Sequence, residues 1–152
     1  MTTQERLKVF AKLGQKISSL PEETLQSLTR QAKNENGWFT EYNVKYALAG
    51  LATMLDPTKL EKWSSSYDLN TSGPKDVGIV MAGNIPLVGF HDLLCVLISG
   101  QRAVIKMSSQ DNVLMKSLIN WLIEISPNIQ HQIEIRELLK NIDAVIATGS
   151  DN

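Results

Sequence analysis

The chain has 152 residues, 43% of them hydrophobic and 20% charged, which is the composition of an ordinary globular protein. The 15 basic and 16 acidic side chains give a net charge of −1, which argues against nonspecific nucleic-acid binding, while one cysteine and two histidines exclude an internal disulfide and argue against structural zinc. The sequence contains no apolar stretch of membrane-spanning length and no apolar leader, so we expect a soluble, cytoplasmic protein without a membrane span.

The N-terminal part of the chain is predicted to be helical. Apolar residues recur at helical spacing in four successive segments. Thr2 and Glu5 have the spacing of a capping box at the start of the first helix, and Pro21 suits the first turn of the second. Thr40 can cap the third helix, and Asp56 precedes the proline that opens a short fourth one.

The pattern changes after a turn-rich segment that follows these helices. Residues 77–82 form an apolar run of the kind found in buried parallel strands. Residues 103–107, 133–135 and 143–148 predict three further strands, and residues 87–99 predict a helix that is apolar nearly all round.

A second helix of this part is predicted to begin at Ser108, which has capping-box spacing to Asp111. Strands that alternate with helices predict a parallel, right-handed α/β unit. We therefore expect an α/β protein with an N-terminal helical segment (1–66), a connector (67–75) and a partial Rossmann-like, nucleotide-binding domain (76–152).

The last predicted strand runs into a turn at Gly149 and Ser150, and the sequence ends two residues later, where a helix would be expected to start. We therefore expect the α/β domain to be truncated, as the N-terminal portion of a longer protein. An open sheet of this kind would expose apolar surface, so self-association into a homo-oligomer is also expected.

A turn with the sequence Gly-Asn-Ile-Pro follows the first predicted strand at residues 83–86. Ligands of open parallel sheets bind at such places, where strand ends and helix N-termini converge. The neutral amide of Asn84 can donate to a developing oxyanion, and Pro86 suits a first helical turn. The alternative is a plain turn with Asn84 as an N-cap, and the sequence lacks the G-x-G-x-x-G fingerprint of dinucleotide sites.

Further candidate residues follow the other predicted strands. Lys106 lies near the end of the second strand, where its side chain either extends to solvent or reaches into the crevice that would hold ribose hydroxyls or a phosphate. Taken alone, the pairs Ser108–Ser109 and Gly149–Ser150 are most simply caps and turns.

Cys95 and His91 stand four residues apart on one predicted helix and could meet as nucleophile and base. The helix is apolar on every side, however, and buried cysteines are mostly inert. Packing is therefore the favoured interpretation of Cys95.

The second half of the chain resembles the start of the coenzyme-binding domain of the aldehyde dehydrogenase superfamily. Residues 80–86, 103–110 and 147–150 are similar, in order and spacing, to the Trp-Asn-Phe-Pro, Leu-Lys-Pro-Ser-Glu and Phe-Thr-Gly-Ser motifs of that superfamily. More narrowly, residues 81–92 resemble the acyl-CoA reductases related to the fatty acid reductase of bacterial bioluminescence, and residues 35–40 suit that group.

This resemblance implies roles for individual residues. Asn84 would help to form the oxyanion hole for a thiohemiacetal, and Lys106 would contact the adenosine ribose or its phosphate. Gly149 and Ser150 would begin the pyrophosphate-binding turn. The other cofactor-binding residues that it implies are Met81, Gly83, Ser108 and Ser109.

The resemblance also implies the cofactor and the reaction. Ser109 stands where many NAD-preferring aldehyde dehydrogenases carry a glutamate, which would repel a 2′-phosphate, so its loss favours NADPH. In the family reaction a cysteine attacks acyl-CoA or another acyl thioester, and NADPH hydride reduces the acyl-enzyme to an aldehyde. The nucleophile of such enzymes lies far downstream of the Gly-Ser turn, and Cys95 is in the wrong place for it.

The sequence therefore predicts the N-terminal part of an NADPH-dependent acyl-CoA reductase, which by itself lacks the nucleophile. The alternative is a non-catalytic, truncated module of the aldehyde dehydrogenase type that binds a nucleotide or a partner.

Overall fold

The computed structural model describes residues 1–69 and 73–149, which form six α-helices, one 3-10 helix and four β-strands. The elements in chain order are α1 (Thr3–Ser18), α2 (Glu22–Glu35), α3 (Glu41–Met54), α4 (Pro57–Ser64), β1 (Asp76–Val80), α5 (Phe90–Ile98), β2 (Arg102–Lys106), α6 (Asn112–Ile125), the 3-10 helix (Pro127–Gln132), β3 (Ile133–Ile135) and β4 (Ala144–Ala147). Within these residues, none of the helices combines the length and apolarity needed to span a bilayer.

The N-terminal helices are defined by their capping residues. Thr2 and Glu5 form the predicted capping box: Thr2 Oγ1 accepts from the Glu5 N–H at 3.2 Å, and Glu5 Oε2 accepts from the Thr2 N–H at 2.6 Å. The side chains of Thr40 and Asp56 accept from N–H groups in the first turns of α3 and α4. Pro21 is the N-cap residue of α2 rather than a member of its first turn. The prediction of four N-terminal helices is confirmed.

The strands of the described residues form one parallel sheet in the order β3-β2-β1-β4. The chain builds outward from β1 through α5 to β2 and through α6 to β3, and β4 then returns to the other side of β1. The predicted fold, a helical segment followed by a partial Rossmann-like parallel sheet, is confirmed. Because the direction of building reverses between β1 and β4, the carboxyl ends of these strands form the topological switch point, where open α/β sheets bind ligands.

One hydrophobic core joins the N-terminal helices to the sheet. Phe10 of α1 meets Phe90 of α5 edge-on, with ring centroids 6.2 Å apart. The buried guanidinium of Arg6 donates through Nε to the carbonyl of Ile98 at 2.9 Å, at the end of α5. The N-terminal helices therefore pack on the side of the sheet that carries α5 and α6.

Helix α5 begins at Phe90, three residues later than the sequence predicts. Leu87 has a φ of 64°, in the left-handed region that an α-helix of L-residues cannot include. Residues 84–89 therefore form a turn, and Pro86 lies in this turn rather than in the first turn of a helix.

The start of α6 also differs from its prediction. The helix begins at Asn112, and the side chain of Asp111 makes no cap hydrogen bond to it, so the predicted capping box of Ser108 and Asp111 is wrong. Ser108 Oγ instead accepts from the Gln110 N–H at 3.2 Å. The first N–H groups of α6 donate to the carboxylate of Glu35, which comes from α2.

The second face of the sheet is only partly covered. A Cβ at Gly78 would lie 2.6 Å from Ile142 Cδ1, so the loop before β4 packs over the middle of β1. Val104 and Val145 flank Gly78 in the register of the sheet. Val104 is fully buried, whereas Val145 is 56% exposed, so apolar surface is exposed along β4.

Candidate functional site

Three segments meet at the carboxyl edge of the sheet, after β1, β2 and β4. The N–H of Met81 donates to the carbonyl of Lys106 at 3.1 Å, and the N–H of Thr148 donates to the carbonyl of Val80 at 3.3 Å, so strand pairing continues up to this edge. The predicted site residues that the structure brings to the edge are Met81, Gly83 and Asn84 after β1, Lys106, Ser108 and Ser109 at the end of β2, and Gly149 after β4. Ser150, which was also predicted, lies outside the described residues.

Gly83 and Ser108 are packed together at this edge. A Cβ at Gly83 would collide with the side chain of Ser108 and would lie 3.1 Å from Gln110 Cβ, so this contact requires a glycine. The side chain of Met81 is 5% exposed and fills the space beside Gly89, where a Cβ would lie 2.8 Å from its Cγ. A ligand at the edge could therefore meet only the backbone of Met81.

Asn84 is exposed in the turn between β1 and α5. The N-cap residue of α5 is Gly89, so the interpretation of Asn84 as the cap of this helix is wrong. The next residue, Ile85, is apolar and yet 56% exposed. An exposed neutral amide can donate to the oxygen of a ligand without exchanging a proton with it.

A groove of about 610 Å³ adjoins Asn84 and runs between α3 and the turn. Its lining is largely apolar or aromatic and includes Trp38, Tyr46, Leu51, Met54, Ile85 and Pro86. The side chains of Trp38 and Tyr46 are 84% and 72% exposed, although both are large and aromatic. An apolar groove beside a neutral amide suits a ligand that has a carbonyl group and a long apolar part.

The end of β2 presents a cation to solvent. Residues 103–105 of the strand are buried, and Lys106 after them is exposed, as is Ser109. An ammonium group at this position suits a phosphate or ribose hydroxyls, and the neutral hydroxyl of Ser109 adds no negative charge that would oppose them.

The end of β4 is more open. Thr148 Oγ1 donates to Asp92 Oδ2 at 2.8 Å, which joins the end of the strand to the first turn of α5. Gly149 is exposed, and a Cβ there would have no atom of the described chain within 4 Å. The backbone after β4 is therefore accessible to a ligand.

The turn after β1 is anchored by side chains that the sequence analysis did not identify as functional. The N–H of Leu87 donates to Asp111 Oδ2 at 2.6 Å, and Asn36 Nδ2 donates to the carbonyl of Gly83 at 3.4 Å. The carboxylate of Glu35 accepts from the first two N–H groups of α6. Because these partners lie 24 to 78 positions apart, no local sequence signal could have paired them.

Asp111 is 2% exposed, and its Oδ1 has no hydrogen-bond partner among the described residues. Burial raises the pKa of Asp111 to about 7; the hydrogen bond from the Leu87 N–H opposes this rise, and the negative charge of Glu35 adds to it. The carboxyl group is therefore balanced between its neutral and charged forms near neutral pH.

The sulfur of Cys95 lies 3.8 Å from both ring nitrogens of His91. Burial, and after it the charge of Asp92, raise the pKa of the Cys95 thiol, which opposes formation of the nucleophilic thiolate. Cys95 is only partly buried and lines a small pocket of about 220 Å³ together with Trp63 and Tyr67, so the expectation of a fully buried cysteine is wrong. The described residues contain no group of three or more His, Cys, Asp or Glu placed to hold a metal ion.

Comparison with known families gives a match over nearly the whole chain. A family model described as acyl-CoA reductase (LuxC) matches residues 8–152. Among curated proteins, no significant match to the sequence is found. The matched range includes most of α1, all later elements and every segment of the carboxyl edge.

Proposed function

The chain belongs to the acyl-CoA reductase (LuxC) family, and from that premise we propose that it supplies part of the site where such an enzyme reduces an acyl thioester to an aldehyde with NADPH. We also propose that it is the N-terminal portion of a longer enzyme of the aldehyde dehydrogenase type, with the nucleophilic cysteine outside this chain. The exposed Val145 on the second face of the sheet supports this, because further structure of a longer chain would cover it.

The observation that carries the cofactor proposal is an exposed lysine beside the topological switch point. Lys106 offers a positive charge to a 2′-phosphate, and Ser109 has no carboxylate to repel it. The open backbone at Gly149 suits a pyrophosphate, which binds to unpaired N–H groups. When bound, NADPH would supply the hydride, and Ser108 and the backbone of Met81 and Gly83 would line the same edge.

The proposed site for the acyl group lies on the other side of the turn. Asn84 would donate its amide N–H to the carbonyl oxygen of the thioester, where negative charge develops when a thiolate attacks the carbon. The acyl chain would then lie in the groove beside α3, against Trp38 and Tyr46. The size and apolar lining of this groove support the assignment, because a thioester of acyl-CoA joins a polar carbonyl to an apolar chain.

Calorimetric titration of the chain with NADPH tests the cofactor site. We expect Lys106→Ala to weaken NADPH binding roughly tenfold or more, because a charge-assisted contact to phosphate is lost. NADH should bind more weakly than NADPH, and Ser109→Glu should reduce or reverse that preference. The matched control is Lys116→Ala, which removes another exposed lysine, from α6, and should leave the affinity unchanged.

Two results would contradict the cofactor assignment. NADH and NADPH could bind equally well, or Lys106→Ala and Lys116→Ala could weaken binding to the same extent. The first result would remove the argument for a 2′-phosphate site, and the second would show that only the overall charge of the chain matters.

A further inference from the structure

We infer that Asp111 is a positioning residue for Asn84, because its buried carboxyl group holds the backbone of the turn that carries the Asn84 amide. This inference rests on the proposed role of Asn84 as the donor to the acyl carbonyl. It goes beyond that role by naming the group that sets where the donor lies.

The first argument is the backbone of Leu87. This residue has a φ of 64°, a conformation that is disfavoured for leucine, and its side chain is 3% exposed. Its N–H donates to Asp111 Oδ2 at 2.6 Å across 24 positions of sequence. A strained residue persists when surrounding contacts determine it, and here that contact comes from a buried carboxyl group.

The second argument is that anchored residues lie on both sides of Asn84 in the sequence. Within the turn, Leu87 is held by Asp111, and just before the turn the carbonyl of Gly83 accepts from Asn36 Nδ2 at 3.4 Å. The same Asn36 Nδ2 donates to the carbonyl of Gln110 at 3.4 Å, next to Asp111. Asn84 therefore lies between two anchored points, although its own side chain is exposed.

The third argument is the electrostatic state of the carboxyl group. Oδ1 of Asp111 is buried and has no hydrogen-bond partner among the described residues. The charged side chain that acts on it from the packed elements is Glu35 of α2, which carries the same sign, and burial with this charge raises the pKa of Asp111 to about 7. Ionisation strengthens the bond that Asp111 accepts from the Leu87 N–H, but it also places a buried negative charge beside Glu35. The geometry of the turn should therefore change when Asp111 ionises.

The test is a pH titration of the chain that is monitored by ¹⁵N NMR. The amide resonances of Asn84 and Leu87 should shift together with a midpoint near pH 7. Asp111→Asn, which is neutral and can still accept from the Leu87 N–H, should keep the low-pH resonances at every pH. The matched control is Asp56→Asn, which changes a capping carboxylate at the start of α4 and should leave the titration intact.

A second variant separates the hydrogen bond from the charge. Asp111→Ala is neutral but cannot accept, so the resonances of residues 84–87 should be displaced at every pH. Hydrogen exchange of the Leu87 amide should become roughly tenfold faster or more. The rescue of both properties by Asp111→Asn would distinguish positioning from a general loss of stability.

Two outcomes would overturn the inference. The first is that the amide resonances of Asn84 and Leu87 still shift near pH 7 in Asp111→Asn. The second is that these resonances change neither with pH nor in Asp111→Ala. Failure of the proposed function is measured separately: if Asn84→Ala leaves thioester reduction by the enzyme unchanged while the turn responds to Asp111, the donor role is wrong and the anchoring of the turn remains.

Discussion

The two sides of the candidate site are built differently. The turn after β1 is packed at Gly83 against Ser108 and held through Leu87 by Asp111. The segment after β4 is joined to α5 by the Thr148 hydroxyl, and its Gly149 is open to solvent. A donor to a developing negative charge works best when it is fixed in advance, whereas a cofactor that binds and leaves needs an accessible segment. The difference therefore matches the roles proposed for the two segments, a fixed donor at Asn84 and an accessible backbone at Gly149.

The largest expected effect concerns the buried carboxyl group of Asp111, which holds the turn after β1. The pKa of Asp111 is raised to about 7 in the folded chain and is about 4 in an unfolded one. Between these values the unfolded chain binds fewer protons, so the contribution of this group to stability is greatest at low pH and is lost as the pH rises towards 7. The loss should approach about 1.4 kcal/mol for each pH unit.

Chemical denaturation of the wild type and of Asp111→Asn at several pH values measures this effect. The difference in unfolding free energy between the two proteins should change from about pH 4 to about pH 7 and then level off. The exposed carboxylates Glu5, Glu41 and Glu134 have pKa values lowered by their hydrogen bonds, so their contribution to stability increases as the pH rises. This contribution is the same in both proteins and cancels in the difference. A difference independent of pH would show that folding does not raise the pKa of Asp111.

A smaller effect is expected from the two glycines that mark the two sides. Gly83→Ala should destabilise the chain by about 1–3 kcal/mol, because the new Cβ collides with Ser108. Gly149→Ala should change the unfolding free energy by less than about 0.5 kcal/mol, because no described atom lies within 4 Å of its Cβ. Thermal unfolding of both variants measures the difference, and Ser108→Gly should rescue Gly83→Ala. Equal effects of the two substitutions would remove the contrast between the two sides.

The smallest expected effect lies on β4 itself. Val145→Ala should cost less than about 0.5 kcal/mol, because the side chain is 56% exposed. Its matched control is Val104→Ala on the buried β2, which should cost about 2 kcal/mol because a fully buried side chain is truncated. A cost for Val145→Ala close to that of Val104→Ala would mean that β4 is covered in solution, for example by a second copy of the chain.

Much of the fold could be predicted from the sequence because its signals are local. The caps at Thr2, Thr40 and Asp56 bond to amides two or three residues away, so their spacing alone identifies them. The apolar runs of β1 and β2 are similarly visible, because both faces of a central parallel strand are buried.

The departures from prediction depend on contacts that are distant in sequence. Helix α5 starts later than predicted because Leu87 has a left-handed backbone conformation. The neighbouring sequence does not require this conformation, and the Leu87 N–H donates to the distant Asp111. The cap of α6 comes from Glu35, whose own neighbours predict only the end of a helix. The same distinction holds for the candidate site. The ends of the predicted strands were enough to place Gly83 and Lys106 at one edge, whereas the anchoring of the turn depends on contacts between distant residues.

The cap that Glu35 places on α6 has a consequence for anions at the carboxyl edge. The start of a helix ordinarily attracts phosphate, because its first N–H groups are unpaired and the helix dipole is positive there. Here the N–H groups of Asn112 and Val113 already donate to a carboxylate that brings its own negative charge. A phosphate that approaches the edge is therefore repelled at α6, whereas the exposed ammonium of Lys106 attracts it.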